Sequence, residues 1–254
     1  MTRIKGVIFD LGNTLMFLDD EWEPVRRRSA HDLVRFLTQE GVDIDPQRFG
    51  EEYLDLRRTL YQRSVEEQVE YSAADSLRRA LLNWEHRDLS HELIQAAVRA
   101  FFAFEEEQWT AYEQAEATLR ELSQRGYRLA LISNATDDPL IQRLVDRLGF
   151  RRWVDMAFSS AGVGLRKPHP AVFQKVVSQW DFPPSQVVMV GDTLRFDIAG
   201  AHNAGLKGVL AAWDLYPDYD AEADHVVPEA AAASLQHLVE LLSQIDEYPP
   251  AKSG

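Results

Sequence analysis

The chain has 254 residues, of which 45% are hydrophobic and 27% charged, a composition that suits a soluble protein with a substantial core. Its 41 acidic and 27 basic residues give a formal net charge of −14, which argues against a nucleic-acid-binding face and against docking on an anionic membrane. Because the chain has no cysteine, disulfides, thiolate catalysis and cysteine-bound zinc are excluded.

The N-terminal region predicts a buried strand that ends at a carboxylate. Residues 1–6 lack the apolar core of a signal peptide, and no apolar run is as long as a membrane span, so we expect a cytoplasmic protein, either a monomer or a homodimer. The apolar run over residues 7–9 stops at Asp10 and enters Gly12 and Asn13. At the end of a parallel strand, such a carboxylate acts as a nucleophile, base or metal ligand, or only caps the turn.

Residues 22–109 predict a helical module. Apolar residues recur at helical spacing over residues 25–37, 46–67, 72–84 and 90–104. Gly41 is a stop signal for the first helix, and Ser90 is an N-cap signal for the fourth. Because the module directly follows the first strand, we interpret residues 17–109 as a helical cap inserted into a core domain made of residues 1–16 and 110–254.

The remainder of the chain alternates between strand and helix patterns. Strands are predicted at residues 127–132, 153–159, 186–190 and 206–211, with a further short strand at 225–227. Helices are predicted at residues 115–125, 138–148, 171–180, 197–204 and 231–245, before a loose tail at 248–254. This alternation predicts an α/β fold with a doubly wound, Rossmann-like parallel sheet.

Polar side chains follow several predicted strands or lie on the adjoining loops. They are Asp10, Ser133, Lys167, Asp192 and Asp197. Taken singly, each is more often a turn, capping or surface residue. Their joint occurrence at the edge where α/β proteins bind ligands favours a site instead. Clustered carboxylates beside one lysine favour Mg²⁺, which binds carboxylates, water and substrate phosphate oxygens.

Four segments resemble the motifs of the haloacid dehalogenase-like (HAD) hydrolase superfamily in order and spacing. They are residues 9–15 (FDLGNTL), 132–135 (ISNA), 166–170 (RKPHP) and 191–197 (GDTLRFD). The helical insertion resembles the cap domain of that superfamily's phosphoglycolate phosphatase-like and dehalogenase-like branch. The resemblance covers nearly the whole chain.

The resemblance implies a Mg²⁺-dependent phosphatase that acts on a small phosphorylated metabolite. Asp10 would attack phosphorus and form an aspartyl-phosphate. Ser133 and Asn134 would bind the phosphoryl oxygens, Lys167 would offset their charge, and Asp197 would assist the metal or hold the lysine. The implied metal ligands are Asp10, the backbone carbonyl of Gly12, Asp192 and, as a further candidate, Asp197.

One position departs from the family pattern. Most phosphatases of the superfamily have a second Asp two residues after the nucleophile as general acid and base, and this chain has Gly12 there. General acid–base catalysis typically raises the rate by about 10²–10⁴-fold. Three outcomes stay open: Asp19, Asp20 or a water substitutes, the substrate has a good leaving group such as an acyl or anomeric phosphate, or activity is low.

The same departure keeps two alternatives open. Metal-independent 2-haloacid dehalogenases also lack that Asp, but their first motif has Gly immediately before Thr, where this chain has Asn13. They also tend to lack a Gly-Asp pair like that at Asp192. A low-activity or regulatory protein is the third alternative, although the retained Asp10 and Asp192 argue against it.

Substrate specificity is expected from the helical insertion. Its arginines are candidate anion contacts, and its tryptophans are candidate stacking surfaces, although solvated helix faces and core packing are their commoner roles. These candidates are Arg57, Arg58, Arg63, Arg78, Arg79 and Arg99, with Trp22, Trp84 and Trp109.

Overall fold

The computed structural model describes residues 3–86, 88–214, 223 and 225–245, and within them six parallel strands form one sheet. Two further strands form a short antiparallel pair. In chain order the strands are β1 Gly6–Phe9, β2 Met16–Leu18, β3 Trp109–Ala111, β4 Arg128–Ser133, β5 Met156–Ser159, β6 Val187–Gly191, β7 Lys207–Ala211 and β8 Ala230–Ala232. The sheet order is β5–β4–β1–β6–β7–β8, so the α/β fold predicted from the sequence is confirmed.

The helices also follow the predicted order, except that the short helix α7 was not predicted. Four of them (α1–α4, here called the helical segment with the loops that join them) lie between β2 and β3, and the others alternate with the sheet strands. Within the described chain, no helix has both the length and the apolarity that a bilayer crossing requires. The helices are α1 Trp22–Gln39, α2 Phe49–Glu67, α3 Ala73–Asn83, α4 His91–Gln108, α5 Ala115–Gln124, α6 Asp138–Arg147, α7 Ser160–Val163, α8 Pro170–Val177, α9 Ala199–Asn203 and α10 Leu235–Ile245.

Both faces of the sheet are covered, as the continuous apolar pattern of its strands requires. In β1, Val7 and Phe9 join the core cluster that includes residues of α5, α6 and α10. Ile8, between them, joins a second cluster with residues of α8 and α9. All three side chains have no solvent exposure. β1 is therefore packed on both faces, which fixes the position of Asp10, the residue that follows it.

The short pair β2–β3 carries the chain into and out of the helical segment, and the sequence did not predict it. Its register joins Met16 to Ala111 and Leu18 to Trp109. The predicted boundaries at residues 16 and 110 fall inside this ladder. Buried residues of α1–α4 belong to the same core cluster as residues of β1, β4 and β6. The division into a core domain and a cap domain therefore stays a prediction.

The prediction for the last strand was wrong. Residues 225–227 form no strand, and Val227 is 73% exposed. Pro228 follows and has no N–H to donate to a ladder. The edge strand β8 instead begins at Ala230, which pairs with Val209 of β7. The last helix accordingly begins at Leu235 rather than at residue 231, and the tail predicted at 248–254 lies outside the described residues.

Candidate active site

The predicted polar residues meet at one edge of the sheet. Asp10 directly follows β1, and its backbone N–H donates to the carbonyl of Val190 in β6 at 2.9 Å. Ser133 is the last residue of β4, and Asp192 directly follows β6. Since β1 lies between β4 and β6, the three residues are neighbours at the carboxyl ends of adjacent strands. Parallel α/β sheets bind their ligands at this edge.

Lys167 reaches this edge from a loop and joins two carboxylates. Its Nζ donates to Asp10 Oδ1 at 2.5 Å and to Asp197 Oδ1 at 2.6 Å. A third hydrogen bond goes to the carbonyl of Ile132 at 3.1 Å. The lysine side chain is 3% exposed. All three donor positions of the ammonium therefore have acceptors, which is the condition under which a charge is tolerated in a protein interior.

Asn134 fixes the main chain of Lys167. Its Oδ1 accepts from the Lys167 N–H at 2.9 Å, and its Nδ2 donates to the Lys167 carbonyl at 3.1 Å. The loop after β4 thus positions the lysine, a role that the sequence had not indicated. The contact of Asn134 with a phosphoryl group stays a prediction, as does that of Ser133, which is 8% exposed.

Asp197 is held by the turn that opens after β6. Its Oδ2 accepts from the backbone N–H of Thr193 at 3.1 Å and from the Thr193 hydroxyl at 2.6 Å. Because Oδ1 accepts from Lys167 and Oδ2 accepts from Thr193, both oxygens of Asp197 already have protein donors. Of the two predicted roles for Asp197, this favours holding Lys167. The turn also requires Gly191, because a Cβ on that residue would lie 2.3 Å from Asp197 Cγ.

Asp192 is positioned from the loop after β1. Asn13 adopts a left-handed backbone conformation with φ 55°, and its Nδ2 donates to Asp192 Oδ2 at 3.3 Å. Asn is among the few non-glycine residues that occupy this region readily. The turn-forming Gly-Asn pair in the sequence predicts such a conformation, although it does not predict Asp192 as the partner.

Burial and mutual repulsion alter the acidity of this cluster. Burial raises the pKa of Asp10 to about 6, because the loss of hydration and the charge of Asp197 outweigh the attraction of Lys167. Burial, together with Asp10 and Asp197, raises the pKa of Asp192 to about 8. Burial alone would lower the pKa of Lys167, but Asp10 and Asp197 raise it above its ordinary value. The lysine therefore stays protonated while the carboxylates are crowded.

The donor set fits a divalent cation. Asp10, Asp192 and Asp197 each offer a carboxylate oxygen, and these oxygens lie within 4.8 Å of one another. One ammonium faces these three acidic side chains. Mg²⁺ prefers oxygen ligands and would relieve the repulsion between the carboxylates. The role of the Gly12 carbonyl as a further ligand stays a prediction.

An aromatic ring borders the position of the missing Asp. A Cβ at Gly12 would lie 3.5 Å from Cη2 of Trp109, an ordinary van der Waals contact. The Trp109 indole N–H is 3.4 Å from Glu105 Oε1, and Trp22 meets the ring edge-on at 5.7 Å between centroids. Of the candidate tryptophans, Trp109 therefore lies beside the first loop and Trp22 packs on Trp109, whereas Trp84 packs against Phe49. Trp109 is 8% exposed.

Among the predicted arginines, Arg57 contacts the loop that follows Ser133. Its Nη2 donates to the Thr136 hydroxyl at 3.0 Å, and its guanidinium carbon lies 4.6 Å from the Phe101 ring centroid. Arg99 lines a cavity of about 340 Å³ with Asp137 and other residues. The remaining candidates contact side chains of their own segment: Arg58 with Asp55, Arg63 with Glu67, Arg78 with Asp75 and His91, and Arg79 with Tyr71.

Asp19 and Asp20, the predicted substitutes for the missing Asp, are both exposed. Asp20 Oδ1 accepts from the backbone N–H of Glu21 at 2.7 Å, and the Asp19 N–H donates to the carbonyl of Gln108. No contact in the described residues joins either side chain to Asp10.

Comparison with known proteins gives a match to a family model, two similar relatives and one similar solved structure. A family model described as haloacid dehalogenase-like hydrolase matches residues 4–205. A glyceraldehyde 3-phosphate phosphatase from Pyrococcus furiosus is 27% identical, and the alignment covers 96% of this chain and 95% of that protein. A ribulose-1,5-bisphosphate 5-phosphatase from Halopiger xanaduensis is 28% identical, with 95% and 98% covered. A 2-haloacid dehalogenase structure from Pseudomonas syringae pv. Tomato has a TM-score of 0.67 and 25% identity, with 95% and 99% covered.

The crowded carboxylates predict that the metal-free protein loses stability as pH rises. Asp10 and Asp192 have native pKa values of about 6 and about 8, against 3.8 as the ordinary value. The folded state therefore binds more protons than the unfolded state between about pH 4 and pH 8. The free energy of unfolding is highest below this range and decreases as the pH rises through it. We expect the melting temperature in EDTA to fall across this range.

At about pH 8, Mg²⁺ at a concentration near 100 times its Kd should raise the melting temperature by about 5–10 °C above that in EDTA. Asp192→Asn should flatten the pH profile, whereas Asp181→Asn, on an exposed side chain, should leave it unchanged. A melting temperature in EDTA that is constant with pH would contradict the crowding of these carboxylates.

Proposed function

The chain belongs to the haloacid dehalogenase-like hydrolase family, and from this premise we propose that it is a Mg²⁺-dependent phosphatase. It hydrolyses a small phosphorylated metabolite through an aspartyl-phosphate on Asp10. The observation that carries this proposal is the buried Lys167 ammonium, hydrogen-bonded to Asp10 and Asp197. Relatives that align over nearly the whole chain are phosphatases by name, which supports a phosphate substrate.

Asp10 supplies the nucleophile in this mechanism. One of its carboxylate oxygens attacks phosphorus, and the bond from phosphorus to the leaving oxygen breaks as the new bond forms. Water then attacks the same phosphorus, which releases phosphate and restores the carboxylate. Because the pKa of Asp10 is about 6, its carboxylate is largely ionised at neutral pH and available for attack.

The surrounding residues hold the charge that moves through these steps. Lys167 offsets the negative charge shared by Asp10 and the phosphoryl group, and Ser133 donates to a phosphoryl oxygen. Asp197 keeps the lysine in place. The residues that would hold Mg²⁺ are Asp10, Asp192 and the Gly12 carbonyl, and the bound ion would neutralise phosphoryl oxygens.

Because Gly12 stands where most phosphatases of the family have an Asp, the leaving oxygen lacks the usual proton donor. Trp109 borders this position with an apolar ring. An alkoxide that departs beside an apolar wall gains little stabilisation, whereas an acyl or anomeric phosphate needs less help from an acid. We therefore expect phosphates with good leaving groups to be the preferred substrates.

The helical segment is expected to act as the cap that selects the substrate. Arg57 is the arginine of this segment that donates to the loop after β4, so it is the side chain we expect to contact a second anionic or polar group of the substrate. We retain the expectation of a monomer or homodimer in the cytoplasm that acts on a small molecule.

The first test removes the nucleophile. Asp10→Asn should lower Mg²⁺-dependent phosphate release from acetyl phosphate and p-nitrophenyl phosphate by at least about 10³-fold, as expected for loss of a covalent nucleophile. EDTA should abolish the activity of the parent chain. Asp181→Asn makes the same chemical change on an exposed side chain and should be fully active. Equal activity of Asp10→Asn and the parent would refute the assignment.

The second test restores the missing acid. The backbone at Gly12 accepts a Cβ without a clash. Gly12→Asp should raise kcat for alkyl phosphates by up to about 10²-fold, with a smaller gain for aryl phosphates, because only poor leaving groups need a proton. Gly12→Asn is the matched control without an acid. An unchanged dependence of rate on leaving-group pKa would show that proton transfer is supplied elsewhere.

The likeness to a named 2-haloacid dehalogenase gives a second candidate function. In that reaction Asp10 would displace halide from carbon, and no metal is needed. The direct assay is halide release from 2-chloropropionate in EDTA. We expect none, because Asp192 adds a third carboxylate to the cluster and suits a metal-dependent reaction. Halide release that Asp10→Asn abolishes would replace the phosphatase proposal.

A further inference from the structure

A second buried ion pair lies beside the site and connects the helical segment to the Lys167 loop. Glu70 lies between α2 and α3, and Arg166 directly precedes Lys167. Glu70 Oε2 and Arg166 Nη1 are 3.7 Å apart, and the two side chains are 2% and 4% exposed. Burial raises the pKa of the Glu70 carboxyl, and the nearby Arg166 only partly opposes this. The mechanism described above uses neither residue.

The main chains around this pair run side by side. The Glu70 N–H donates to the carbonyl of Gly164 at 3.1 Å, and the Arg166 N–H donates to the carbonyl of Gln68 at 3.2 Å. Between these bonds, Val69 and Leu165 form an antiparallel bridge. The segment that follows α2 is therefore paired with the residues that lead directly into Lys167.

Ser160 extends the contact of Glu70 to the loop after β4. Its hydroxyl donates to Glu70 Oε2 at 2.6 Å and accepts from the backbone N–H of Ala135 at 2.8 Å. Ala135 follows Asn134, whose side chain binds the main chain of Lys167. The Glu70 carboxylate of the helical segment therefore contacts, through Ser160, the loop that carries Ser133 and Asn134.

The Arg166 guanidinium joins the remaining loop to the helical segment. Nη1 donates to the hydroxyl of Ser64 in α2. The guanidinium carbon lies 4.9 Å from the Tyr61 ring centroid and 5.8 Å from that of Phe196. Phe196 directly precedes Asp197, the second partner of Lys167. The ion pair is consequently connected to three of the four loops that carry the site: the Lys167 loop directly, the loop of Asp197 through Phe196, and the loop of Ser133 through Ser160.

We propose that Glu70 and Arg166 are positioning residues, which couple docking of the helical segment to the arrangement of Ser133, Lys167 and Asp197. The segment then completes the site by fixing its loops. This inference deepens the proposed function and rests on it, because it concerns the loops that place the proposed phosphate-binding Ser133 and Lys167.

The energetics of buried ion pairs support this role. A buried ion pair often contributes little net stability, because the desolvation of both charges offsets their attraction. Apolar residues of similar volume are frequently as stabilising or more so, whereas loss of one partner leaves a costly unpaired charge. A contribution to geometry is therefore separable from a contribution to stability, provided that both charges are removed together.

The test replaces both residues in the full chain. Glu70→Met combined with Arg166→Met should keep the melting temperature near that of the parent. It should lower kcat for acetyl phosphate by about 10–100-fold, because small displacements of reacting groups have effects of this size. KM should stay within about twofold, as expected for an interaction that acts on the transition state. Glu70→Gln with Arg166→Met returns an acceptor to Ser160 and should recover part of kcat.

Amide hydrogen exchange gives a readout that needs no turnover. In the double variant, amides of residues 133–137 and 164–167 should exchange at least about tenfold faster, while those of β1 and β6 keep their protection. The matched control is Glu67→Gln, which removes the exposed pair with Arg63 on the same segment and should change neither readout.

The outcomes separate this inference from the proposed function. A folded double variant with parental exchange rates overturns the coupling, whatever its activity. Parental kcat in that variant, or a loss of activity that only follows the loss of folded protein, overturns the positioning role. A parent chain that releases no phosphate from any substrate refutes the proposed function instead, and hydrogen exchange then decides the coupling alone.

Discussion

The site depends on one shared charge, the Lys167 ammonium between Asp10 and Asp197. Three acidic side chains crowd the end of a buried sheet, where loss of hydration makes each of them costly. The lysine compensates part of this charge and has an acceptor at every donor position. The elements around the edge all serve this arrangement: β1 presents Asp10, Asn134 fixes the lysine main chain, and Thr193 orients Asp197.

The remaining negative charge explains why the site suits phosphoryl transfer. A divalent cation held by Asp10 and Asp192 would offset the burial and the mutual repulsion that raise the pKa of both carboxyls. Positioning and charge neutralisation supply most of the catalysis in such reactions, so this chain holds most of the required parts. In the proposed mechanism the handling of the proton would differ, since Gly12, with the ring of Trp109 beside it, stands at the position where most phosphatases of the family have an acid.

The helical segment contacts the loops beside the site through buried charged side chains. Glu70 and Arg166 are buried together, and Ser160 and Phe196 extend their contacts to the loops beside Lys167. On the two proposals made for this segment, selection of a substrate and assembly of the site would involve the same part of the chain. This arrangement would give a physical reason why the proposed nucleophile, at the end of a sheet strand, works together with residues of the segment between β2 and β3.

The sequence alone determined the α/β class, five of the six sheet strands, nearly all the helices and the polar residues at the strand ends, because apolar periodicity, Gly stops and polar strand ends are local patterns. It did not determine the pairing of β2 with β3, which needs residues far apart in the chain, and it misplaced the last strand near Pro228. Only the tertiary structure decided that Asn134 supports Lys167 and that Glu70 meets Arg166. Those contacts join side chains across long sequence separations, and no local pattern marks their partners.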